Sequence, residues 1–175
     1  MLRKEEANIK TTEETVEGTE KTVEGFEITE NATELKKQDF FKMLAKADEG
    51  LVLTIERVGK IFISKYDSNK VGCFIDYSFT KDSTNYEIGI YYSLGKPVIA
   101  DYDSEGQPIY KVKITKDMNL FKIVAGIYNN LAKAKDFKAT EELLKDKLTG
   151  KTFKAEVGTS YNGAFLIEPT EVLEG

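Results

Sequence analysis

The amino-acid sequence predicts a mainly β fold with added helices: a small, partly open barrel of five strands that takes a helical insertion before its last two strands. Three observations carry this prediction. Residues 51–94 hold runs of alternating apolar and polar side chains separated by turn residues, the period of a strand with one buried face. Across residues 118–147 the apolar residues recur at helical spacing instead. A turn and two short strand-like runs, 152–157 and 164–168, then close the chain. With 175 residues and 41% hydrophobic content, one domain with a real core is expected.

Residues 1–37 read as a disordered acidic tail ahead of a domain over 38–175. The tail holds six basic residues against ten glutamates, a net charge of −4, whereas the other 19 basic and 20 acidic residues nearly cancel. Within it, Thr15-Val16-Glu17-Gly18-Thr19-Glu20 returns as Thr22-Val23-Glu24-Gly25-Phe26-Glu27. This seven-residue echo is no coiled-coil heptad, because only Val16 and Val23 recur as apolar residues and glycine and threonine disfavour helix. Low hydrophobicity and high charge predict disorder. Such a tail suits a solubilising extension, a competitor for a basic groove or a docking arm for other proteins.

In the domain, 38–46 is expected as a helix with Phe40, Phe41 and Leu44 on one side and Gly50 just beyond its end. Strands follow at 51–58, at 61–66 after a Gly59-Lys60 turn, at 71–80 and at 86–94. Pro97 and the polar run 101–108 predict a loop, and 109–114 a further short strand. The segment 118–135 predicts one helix, since Leu120, Phe121, Val124, Ile127, Tyr128 and Leu131 share a face and Asp117 is placed to cap it. A shorter helix, 140–147, takes Thr140 as its N-cap. Strand 152–157, the loop 158–163 and strand 164–168 complete the order, which stops at Pro169.

Composition excludes more chemistry than any motif supplies. The chain has no histidine, which removes Ser-His-Asp and Cys-His catalysis and the side chain most used as a base near neutral pH. No carboxylate pair stands out by spacing, so no enzyme is expected. The single cysteine, Cys73, lies on a core face and reads as a small hydrophobe. Asp101, Asp103, Glu105 and Gly106 resemble the start of a calcium loop, but the twelfth position is Val112, and a polar turn is expected instead. Thr149-Gly150-Lys151-Thr152 resembles the end of a P-loop whose first glycine would fall at Lys145. Neither metal nor cofactor is expected. No run approaches the length of a membrane span, and the N-terminus lacks the apolar stretch of a signal peptide, so a cytoplasmic protein is expected.

What remains is aromatic rings interleaved with lysines. Alternation sends Val71, Cys73, Ile75, Tyr77 and Phe79 to the core, leaving Gly72, Phe74, Asp76 and Ser78 outside; in the next strand Glu87, Gly89, Tyr91 and Ser93 are outside. Phe74 and Tyr91 are thus rings on a polar face, each with a glycine two residues away. A ring beside a glycine forms a platform that a nucleic-acid base can approach closely. Phe62 and Tyr66 are further outward rings. Lys65, with Lys111 and Lys113 on one face of their strand, are the candidate phosphate contacts. The competing reading is that a helix or loop of the same chain covers this face.

The run 119–157, a helix followed by a shorter helix and Leu148-Thr149-Gly150-Lys151-Thr152-Phe153-Lys154-Ala155-Glu156-Val157, resembles the C-terminal half of OB-fold single-stranded DNA-binding proteins of bacteriophages and mobile elements of Gram-positive bacteria. The last strand before Pro169 is similar too. The resemblance implies an OB-like barrel in a bacterial host cell, binding single strands in replication, recombination or DNA transfer, without a cofactor. It leaves open RNA in place of DNA, replication or recombination proteins as partners, and a homo-oligomer. The long acidic segment is N-terminal here, whereas bacterial relatives commonly carry an acidic tip at the C-terminus. The alternative function is a protein-interaction module, a phage or plasmid factor whose rings anchor a host protein.

Overall fold

The computed structural model describes residues 32–160 and 162–171. Most of the expected tail and its seven-residue echo lie outside them. One compact unit begins at Thr33. Its elements are β1 (Thr33–Glu34), α1 (Lys37–Lys46), β2 (Leu51–Val58), β3 (Phe62–Ile63), β4 (Val71–Lys81), β5 (Thr84–Ser93), β6 (Val98–Tyr102), β7 (Pro108–Lys111), α2 (Phe121–Val124), a 3-10 turn (Ala125–Ile127), α3 (Tyr128–Leu131), α4 (Phe137–Leu148), β8 (Thr152–Thr159) and β9 (Phe165–Pro169).

The mainly β class with helices is observed, but the sheet is not a closed five-stranded barrel. One sheet runs in the order β9-β8-β2-β4-β5-β1, with β3 also paired to β4, and β6 and β7 form a separate hairpin. Closure of the five expected strands would bring β9 to β5. Instead, β1 pairs parallel with Tyr86 and Glu87 on the outer edge of β5, and the Leu35 amide donates to the Glu87 carbonyl at 3.1 Å. Two residues assigned to the tail thus supply a strand.

Alternation is observed on the core side. Val71, Cys73, Ile75, Tyr77 and Phe79 of β4 and Ile88, Ile90 and Tyr92 of β5 are all buried. Tyr77 and Tyr92 meet hydroxyl to hydroxyl at 2.7 Å in this core, which removes the cost of burying either one alone. Helix α1 seals one end, with Phe40 at 5.6 Å from Phe79 between ring centroids. Helix α4 packs on β2 and β7. Burial pushes the Cys73 thiol up to about 12, with the Glu141 charge adding to the effect, so it is an inert hydrophobe.

Five expectations are corrected. The single helix over 118–135 is three short pieces, because Val124 (φ −109°, ψ 11°) and Ile127 (φ −122°, ψ 15°) leave helical geometry on either side of Gly126. Of its expected face Leu120, Val124, Ile127 and Leu131 are buried and Phe121 and Tyr128 half-buried, while Ile123, outside that face, is buried as well. Asp117 accepts from the Thr115 hydroxyl and caps nothing. The N-cap of α4 is Asp136, whose carboxylate accepts the Ala139 amide at 2.7 Å, while Thr140 is buried inside the helix. The expected loop after Pro97 contains β6, paired with β7, so the second strand is Pro108–Lys111 and not 109–114. The expected strand 61–66 shrinks to Phe62–Ile63. The polar-turn reading of 101–108 fits, since Asp103 accepts the Glu105 and Gln107 amides, each at 2.9 Å.

Two substitutions test this architecture. Asp136→Ala should cost about 1 kcal/mol of stability in a denaturant melt, the usual worth of an N-cap. Gly50→Ala should cost more, about 2 kcal/mol, because Gly50 has φ +77° and an added Cβ would strike the backbone carbonyl of Ala155 on β8.

Candidate nucleic-acid interface

The β4–β5 register places Phe74 opposite Tyr91 and Gly72 opposite Ser93. The Phe74 carbonyl accepts the Gly59 amide at 2.8 Å, on the side away from β5, so Phe74 and Tyr91 are a pair that exchanges no main-chain hydrogen bonds. Such pairs bring side chains closest. Their rings meet edge to face at 5.4 Å. Strand β3 adds a third ring, because Phe62 pairs with Gly72 and lies 6.3 Å from both Phe74 and Tyr91, near parallel (14°) to Phe74. Phe62 and Tyr91 are 38% and 40% exposed, and Phe74 is half-buried between them. Three rings from three strands thus form one partly open surface.

Gly72 makes this packing feasible. A Cβ there would overlap the Cε1, Cζ and hydroxyl of Tyr91, so the tyrosine lies flat over the bare glycine backbone. Burial of the Tyr91 hydroxyl raises its pKa. Gly72→Ala should swing Tyr91 off the sheet. Because the colliding atoms are the far end of a mobile side chain, stability should change by less than about 1 kcal/mol while the tyrosine near-UV signal changes.

The other expected site residues divide. Tyr66 is 85% exposed in the turn after β3, outside the ring cluster, with the Lys65 ammonium 5.2 Å from its ring centre. Lys65 is exposed and lies at the same end of the sheet as the rings: Ser64 donates to Lys70 and Val71 donates to Gly95 there, both at 2.8 Å. Lys60, Lys70 and Lys96 are exposed at this end as well. Over residues 59–75 and 89–97 the chain carries these four lysines and one acid, Asp67. Lys111 and Lys113 do not share a strand face as expected. Lys111 sits opposite Val98 in the separate hairpin, and Lys113 lies beyond the end of β7.

The outer face is not uniformly open, which corrects the expectation from alternation. Gly72, Asp76 and Glu87 all project there, yet all three are buried. A bulge in β2 explains the two acids. The register shifts between Ile55 and Arg57, which skips Glu56 and turns Arg57 from the core side to the outer face opposite Asp76. Its Nη2 contacts Asp76 Oδ2 and lies 2.9 Å from Glu87 Oε1. Two enclosed carboxyls therefore share one guanidinium. Burial raises the Asp76 pKa well above its ordinary 3.8; the Arg57 charge opposes this and the Glu87 charge adds to it. The available sequence signal was Arg57 itself, a charge at a core-parity position of β2.

Among the described residues no cluster of His, Cys, Asp and Glu could hold a metal ion, and no helix is long and apolar enough to cross a membrane. No protein-family model, curated protein or solved structure matches this chain.

Proposed function

We propose that this protein binds single-stranded DNA with little sequence preference, as a non-enzymatic, cofactor-free factor in replication, recombination or DNA transfer inside a bacterial cell. The carrying observation is the convergence of Phe62, Phe74 and Tyr91 on one partly exposed sheet face, with Lys60, Lys65, Lys70 and Lys96 at the same end. Bases stack on exposed rings for about 1–3 kcal/mol each, and lysines hold the phosphates. The strand order supports an OB-like reading of the fold. With β2, β4, β5, β8 and β9 taken as strands one to five, the order β9-β8-β2-β4-β5 is five-four-one-two-three, which is compatible with an OB-like arrangement whose third and fifth strands stay unpaired. Phe74 and Tyr91 then fall on strands two and three, the face OB folds use for oligonucleotides, with Phe62 beside them on the short strand β3.

Fluorescence anisotropy with labelled oligo(dT), single-stranded RNA and duplex DNA at two salt concentrations tests the reading. Oligo(dT) should bind with an affinity that falls as salt rises, by about 0.7 in the log–log slope for each phosphate neutralised. Duplex should bind more weakly. Absence of oligo(dT) binding at low salt rejects the function. A stoichiometric protein partner that survives nuclease, together with no DNA binding, would assign the rings to a protein interface instead.

A further inference from the structure

The outer edge of β5 is only partly covered by another strand among the described residues. Among the described residues, strand β1 covers it at Tyr86 and Glu87 only. Alternate residues of a strand direct their main-chain groups to opposite edges. Glu87 offers its carbonyl to Leu35 on the outer side, and Leu94 donates to Val71 of β4 on the inner side. Gly89, Tyr91 and Ser93 therefore direct their N–H and C=O groups outward, and all three residues are exposed. Proteins blunt such edges with charges, prolines or bulges. Residues 88–95 contain no charge and no proline, and the β4–β5 register is continuous through Ser93.

We propose that this edge pairs with the same edge of a second copy, antiparallel about a two-fold axis at Tyr91. Gly89 then faces Ser93 of the other copy and Tyr91 faces its counterpart, exchanging about six main-chain hydrogen bonds. The absence of charge from 88–95 favours a second copy as the occupant, since self-pairing sets no like charges opposite one another. In this register the two strands pair from Gly89 to Ser93 and stop short of Glu87, whose outer side β1 already occupies. The two ring clusters become one platform across the axis. That consequence rests on the single-strand reading, whereas the pairing itself does not.

The full chain is tested without DNA by sedimentation equilibrium and by cysteine cross-linking. A dimer is expected. In the proposed register the Tyr91 Cα atoms lie about 5.5 Å apart, within disulfide reach, whereas the two Gly89 Cα atoms are separated by about four strand residues, roughly 13 Å. Under mild oxidation Tyr91→Cys should cross-link and Gly89→Cys should not; Cys73 is buried and does not compete. Gly89→Lys combined with Ser93→Lys should give monomers, and Gly89→Asp combined with Ser93→Lys should restore the dimer. A monomeric wild type, a reversed cross-linking pattern or a dimer unmoved by the double-lysine variant overturns the proposal. Titration with oligonucleotides of increasing length then reports on the platform: a site about twice as long in the dimer as in the double-lysine monomer supports the joined rings, and equal lengths reject them.

Discussion

Replacing Phe74 and Tyr91 together by alanine should weaken binding of oligo(dT) at least about thirtyfold, since two stacking rings are worth about 2 kcal/mol or more. The two side chains are opposite one another and in contact, so their effects should not simply add. Each single variant should lose less than half of the total, because the remaining ring and Phe62 still offer a surface. The slope of affinity against salt should barely change, since the lysines stay in place. Phe165→Ala is the matched control: Phe165 is 58% exposed on β9, against Phe41 of α1 and away from the cluster. Its removal should leave binding untouched. Undiminished binding in the Phe74 and Tyr91 double variant would reject the site even if the protein binds DNA.

Arg57→Met is the substitution expected to harm the fold most. It leaves Asp76 and Glu87, 0% and 1% exposed, without the cation they share. Breaking a buried ion pair from one side costs about 3–5 kcal/mol. Because the Arg57 side chain is 35% exposed and water screens part of its charge, about 2–3 kcal/mol is expected at neutral pH. Adding Asp76→Asn and Glu87→Gln should recover much of the loss, because no buried charge then lacks a partner.

The pH dependence has a definite sign. The folded-state pKa of Asp76 is raised, so between its ordinary value of 3.8 and that higher value the folded form holds a proton that the unfolded form has released. Stability contributed by this group is therefore full below about 3.8 and is lost as pH rises to the folded-state value. Asp76→Asn should flatten that part of the stability profile. Arg57→Met should extend it to higher pH, since the charge that lowers the Asp76 pKa is gone. Urea denaturation across a pH series measures both, and a profile unchanged by Asp76→Asn would show that this carboxyl is not the titrating group.

Much of the fold was legible because strand alternation is local. The bounds of β2 follow from residues 51–58 alone, and the core faces of β4 and β5 from their parity. The pairing of Phe74 and Tyr91 on one face was likewise within reach, since both rings break the polar pattern of their strands. Less legible was whatever depends on a partner distant in sequence. Nothing around Thr33 announces a strand, because two residues carry no period and become a strand only on the edge of β5. The helix expected over 118–135 had four of its six face residues buried, Leu120, Val124, Ile127 and Leu131, but missed Ile123 and had the wrong backbone, since packing an apolar side requires no continuous helix.

The sequence by itself determined which side chains of β4 and β5 face the core, that no histidine chemistry is available, and which rings break the polar pattern. These depend on composition and on a two-residue period that the backbone imposes on its own. Only the tertiary structure decided that Phe62 joins Phe74 and Tyr91, that Tyr91 rests on Gly72, and that Arg57 turns outward to two buried carboxyls. Each of those depends on register between strands, and the bulge at Glu56 shows why: one extra residue in β2 reverses the face of everything after it.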